Sequence, residues 1–109
     1  MTERRRAVRH DVRGPVAFRV QNWYLRRGSV LDLCMDGCLI EPQLASGCMP
    51  GDVLEIHFEV KGVAFRAQCV VRRVSAEGLL GIELTCISER SREELRLLLQ
   101  DVAGDGAIP

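Results

Sequence analysis

The sequence predicts a mostly β domain, an antiparallel barrel or sandwich of about six short strands followed by one helix. Two observations predict it. Between Gly14 and Cys86, apolar residues recur at every second position, in short runs separated by Gly, Pro, Asp and Ser. From Ser91 onward the apolar period lengthens to that of a helix. With 109 residues the chain makes one domain with a real but modest core.

The first strand starts at Gly14, where Val16, Phe18 and Val20 alternate with Ala17, Arg19 and Gln21. A second strand runs from about Tyr24 to Leu33 and ends at the turn Met35-Asp36-Gly37, with a positive φ expected at Gly37. Residues 38–41 read as a short third strand, followed by a loop containing Pro42, Gly47, Pro50 and Gly51. The fourth strand sets Leu54, Ile56, Phe58 and Val60 against Glu55, His57 and Glu59. Lys61-Gly62 is a tight-turn signal, after which Val63, Phe65, Ala67, Cys69 and Val71 alternate again. Residues 75–78 turn the chain into a last strand with Leu80, Ile82 and Leu84 inward. Ser91 and Glu94 then form a capping box, Leu95, Leu98, Leu99 and Val102 fall on one helical stripe, and Gly104 is the expected stop. Such a helix caps an open end of the strands or lies across their side. The expected organisation is an arm over residues 1–13, a barrel with its helix over 14–103, and a tail over 104–109.

Composition narrows the function. The 47% hydrophobic and 28% charged content is that of an ordinary soluble globular protein. No run approaches the roughly 18 apolar residues of a membrane helix. The N-terminus carries arginines and no apolar signal core, so a cytoplasmic location is expected. The five cysteines lack CxxC pairs and read as thiols, several of them in the core, with no metal site. A cysteine enzyme would need a base held against the thiol. The only histidines are His10 and His57, with no third orienting group, so no enzyme is expected.

Net charge is zero, yet the charge is unevenly placed. Residues 1–13 hold five arginines (4, 5, 6, 9 and 13) against Glu3 and Asp11. Arginine outnumbers lysine 14 to 1, and its fork suits phosphates and base edges. A binder of nucleic-acid polymers would be basic overall, whereas the pI here is about 6.7. Local positive charge in a neutral chain fits a small anion better. Arg6 reads as solvated charge, His10 and His57 as surface residues, Arg72-Arg73 as flanking a turn, and Trp23-Tyr24 as a barrel rim.

A second element complements the arm. Asp32-Leu33-Cys34-Met35-Asp36-Gly37 places an acid, a small polarisable group and a glycine at a strand end, with Asp32 and Cys34 on one side by period two. A carboxylate accepts from the N1–H and N2–H₂ edge of guanine, and arginine pairs with guanine O6 and N7 or with phosphate. Together the two segments offer handles for a guanine nucleotide.

The pairing resembles the PilZ domain family of bacterial cyclic di-GMP receptors. Arg5-Arg6-Ala7-Val8-Arg9 matches its RxxxR motif, and residues 32–37 match its [D/N]xSxxG motif with Cys34 in the serine's place. The resemblance implies a six-stranded antiparallel β-barrel with a C-terminal helix. It further implies that Arg5 and Arg9 hold phosphates and guanines, that Asp32 and Cys34 read a guanine edge, and that Gly37 turns closely beneath the ligand. Arg4, directly before the motif, implies two stacked cyclic di-GMP molecules, an intercalated dimer. The arm would order on binding and present a surface to a separate effector protein. The alternative is a degenerate PilZ domain that works by protein contacts alone, for which Cys34 is the one supporting feature.

Overall fold

The structure, a computed structural model, describes residues 13–20, 25–60 and 62–107; the side chains of Val60, Val63 and residues 101–107 lie outside the described set. Alternating apolar runs produce six strands: β1 (Gly14–Val20), β2 (Leu25–Cys34), β3 (Gly37–Pro42), β4 (Val53–Val60), β5 (Val63–Val74) and β6 (Leu80–Cys86). They close into an antiparallel barrel in the order β1-β2-β3-β6-β5-β4. Closure comes from β1, which pairs with β2 on one side (Gly14↔Val30) and with β4 on the other (Val16↔Phe58). A sandwich would have left those edges unpaired.

Two three-stranded meanders build the barrel. Residues 43–52 join them across one end, where the Gln43 amide donates to the Arg27 carbonyl at 2.9 Å and the Gly51 amide to the Val71 carbonyl at 2.8 Å. This connection also buries Cys48. Inside, Val16, Phe18, Val30, Leu33, Ile40, Leu54, Ile56, Phe65, Val71 and Leu80 form one continuous apolar cluster. Phe58 and Phe65, directly paired across β4 and β5, stack with centroids 5.1 Å apart. Apolar burial of this kind is the main favourable term in folding. All five cysteines are thiols; Cys34, Cys38, Cys48 and Cys69 are buried and Cys86 is exposed. Burial pushes the Cys69 thiol up to about 12, so it is a packing group rather than a nucleophile.

Helix α1 (Glu89–Ala107) packs against β5 and sends Leu95, Leu98 and Leu99 into the same cluster. Its cap is Ser88, not Ser91: the Ser88 hydroxyl accepts from the Ser91 amide at 3.0 Å. Residues 89–91 contain no helix breaker, so the earlier serine starts the helix one turn sooner. The helix also continues past Gly104, since a single glycine costs only about 1 kcal/mol and no proline follows until Pro109.

Candidate functional site

Simple alternation fails in β2, and the failure makes the site. Val30 is fully buried in the core, so strict period two would send Asp32 and Cys34 inward with it. Instead the β2–β3 register shifts between Val30 and Asp32, leaving Leu31 as an extra residue. Leu33 then becomes the inward residue, paired with the buried Cys38. Asp32 and Cys34 therefore share the outer face, as expected, but a bulge chose that face. The apolar doublet Val30-Leu31 ahead of Asp32 was the available sequence signal.

On this outer face Asp32 pairs with Leu39 and Cys34 with Gly37. Asp32 is partly exposed, whereas Cys34 is only 7% exposed and stands apart from the core cluster. A packed thiol at this position is less available to a ligand than an open hydroxyl would be. Gly37 departs from expectation. Its φ is not positive. It begins β3, and a Cβ there would lie 2.0 Å from the Ile82 carbonyl oxygen. Glycine is required because β3 closes tightly on β6, not because the turn is left-handed. The neighbouring turn is tied down as well, with the Leu84 amide donating to the Asp36 carbonyl at 2.8 Å.

The start of β1 lies beside this site, since Gly14 pairs with Val30. Arg4, Arg5 and Arg9, with Arg6, His10, Trp23 and Tyr24, lie outside the described residues. A groove of about 380 Å³ opens on the outer face of β1–β3, bordered by Pro15, Arg27, Ser29, Glu41 and Gln43. Asp32, Cys34 and Gly37 do not line it. Other polar groups balance one another on the surface. Arg72 pairs with Glu83, and Glu55 lies 3.8 Å from both His57 and Arg66. Among the described residues no three His, Cys, Asp or Glu side chains converge to hold a metal ion. No helix among them is long and apolar enough to cross a membrane.

The profile of the PilZ domain family matches residues 3–101. Among solved structures, the PilZ domain of YcgR from Escherichia coli with c-di-GMP superposes with a TM-score of 0.78 at 12% identity, covering 95% of each chain. The Bacillus subtilis inhibitor of motility MotI/DgrA gives 0.75 at 16% identity, covering 92% of this chain and 51% of its own. The PilZ domain of CeSA from a cellulose-synthesizing bacterium gives 0.68 at 16% identity, covering 89% of this chain and 96% of its own. At these identities the likeness is one of fold. No curated protein matches the chain in sequence.

Proposed function

The chain belongs to the PilZ domain family, and from that premise we propose that it is a receptor for cyclic di-GMP which passes the signal to a separate effector protein. The observation that carries the reading is the bulge at Leu31, which turns Asp32 outward beside the start of β1. Asp32 accepts from the N1–H and N2–H₂ edge of one guanine. Arg5 and Arg9 contribute guanidiniums for the phosphates and for base edges. Arg9 is four residues from Arg13, a tether of about 14 Å at full extension, which is short enough to keep it at this end of the barrel.

Fixing the arm costs roughly 1–2 kcal/mol per residue ordered. Each charge-assisted hydrogen bond returns about 1.5–3 kcal/mol, so several of them offset the ordering of a short arm. The same balance makes the arm a switch, placed on ligand binding and available to a partner. Arg4 supplies a further guanidinium, which suits an intercalated pair of ligands. The YcgR PilZ structure, described with c-di-GMP, supports the ligand class.

Titration calorimetry tests the reading. Micromolar or tighter binding of cyclic di-GMP over GMP is expected, at two ligands per chain, falling toward one in Arg4→Leu. Arg5→Ala and Arg9→Ala are each expected to remove nearly all binding while the melting temperature of the free protein stays unchanged. No heat at saturating ligand would refute the receptor function.

A further inference from the structure

Of the two register shifts between β5 and β6, one mirrors the bulge in β2. The β5–β6 register shifts between Val71 and Arg73, leaving Arg72 as the extra residue. Val71 is fully buried, so strict alternation would turn Arg73 into the core; the bulge turns it out, and Arg73 is exposed. Arg72 is engaged by Glu83, whereas the Arg73 side chain lies against Gly81 of β6. Its Cβ lies 3.5 Å and its Nε 3.9 Å from the point a Cβ on Gly81 would occupy. Gly81 thus leaves open the space that Arg73 crosses.

The registers place the two bulged sites in one row. Asp32 pairs with Leu39, Leu39 with Gly81, and Gly81 with Arg73. Four strands therefore present an acid at one end, an arginine at the other, and a low floor of one leucine and one glycine between them. Three strand spacings separate the end residues by about 14 Å along the sheet. The arginine side chain leaning over Gly81 shortens that gap toward the width of a purine.

We infer that Arg73 is a further ligand-binding residue, which pairs with the O6 and N7 edge of the guanine whose N1–H and N2–H₂ edge Asp32 reads. The inference rests on the receptor reading proposed above and adds to it a residue outside both arginine-rich and aspartate motifs. A guanidinium fork presents two parallel donors, and O6 and N7 are adjacent acceptors. Asp32 supplies the complementary acceptors. The floor of Leu39 and Gly81 lets the base lie flat between them.

Calorimetry with cyclic di-GMP on four folded proteins decides it: wild type, Arg73→Ala, Gly81→Val and Arg66→Ala. Arg73→Ala is expected to weaken binding at least about tenfold with no change in melting temperature, because the side chain is exposed. Gly81→Val keeps the guanidinium but fills the space it crosses, and is expected to weaken binding by a similar factor. Arg66→Ala removes another exposed arginine of the same strand and is expected to bind as wild type does. If wild type binds and Arg73→Ala stays within twofold of it, the role of Arg73 is overturned while the receptor reading stands. If wild type gives no binding, the receptor reading falls, and the role of Arg73 with it.

Discussion

The β4–β5 and β2–β3 pairs are antiparallel ladders on opposite sides of the barrel, built from similar residues, yet they do different work. From Val53↔Val70 to Val60↔Val63 the β4–β5 register runs without a shift, and the inward positions Leu54, Ile56, Phe58, Phe65, Ala67 and Cys69 are all buried. Its polar residues face outward and pair with one another, as Glu55 does with Arg66 and His57. In β2–β3 one extra residue breaks the count, and the break exchanges which side chains see the core. A regular ladder builds the core; an interrupted one aims a particular side chain.

Removing the interruption is the strongest way to break that contrast. Inserting one alanine between Leu39 and Ile40 gives Leu31 a partner, restores period two across the β2–β3 pair and drives Asp32 toward the core. An uncompensated buried charge costs about 3–5 kcal/mol, and cyclic di-GMP binding is expected to vanish together with that stability. Chemical denaturation and calorimetry on the same sample read both effects. Preserved stability with intact binding would show that the bulge is incidental.

In the regular ladder the largest effect comes from packing alone. Phe58→Ala removes a ring that is 4% exposed and stacked on Phe65, and is expected to cost about 3–5 kcal/mol. Binding per folded molecule should not change, because Phe58 faces the interior. A large loss of affinity in the folded fraction would mean that the two ladders are coupled.

Gly37→Ala probes the close approach of β3 to β6. The new Cβ would meet the Ile82 carbonyl, so strand displacement is expected to cost about 1–3 kcal/mol. A neutral result in a thermal melt would remove the steric reason for glycine there. Cys34→Ser acts in the opposite direction on function. A hydroxyl is a better hydrogen-bonding group than a thiol, so affinity is expected to stay equal or tighten, by no more than about 0.5–1.5 kcal/mol. A marked loss of affinity would assign the packed thiol a shaping role.

The smallest effect is expected on the exposed face of α1. Glu93 accepts from Arg96 at 2.5 and 3.1 Å, and that hydrogen bond, then the arginine's charge, holds the Glu93 carboxyl below its ordinary range. A lowered folded value stabilises at pH above the ordinary carboxylate range and is lost as pH falls through the folded value. Both side chains are exposed to solvent, so screening leaves little of this effect. Arg96→Ala is expected to leave the melting temperature at pH 7 unchanged within error, with any difference from wild type vanishing in acid.

Legible in the sequence were the strand count, the inward residues of β1, β4, β5 and β6 among the described side chains, and the apolar stripe Leu95, Leu98, Leu99. Those features follow from local periodicity, which is written residue by residue. It also carried the two motifs and the odd doublet Val30-Leu31. Periodicity left barrel and sandwich open and the family resemblance implied the barrel; the physical reason for it is tertiary, because closure depends on β1 meeting β4 across about forty residues of chain. Likewise, the helix began at Ser88 rather than Ser91 because two serines offered similar local signals and the earlier cap was realised. The need for glycine at position 37 came from the Ile82 carbonyl on a strand more than forty residues away, invisible to any local rule. The same holds for Asp32 and Arg73. Each lies just after a bulge, and a bulge is a mismatch between two strands, so it exists only once the partner's register is set.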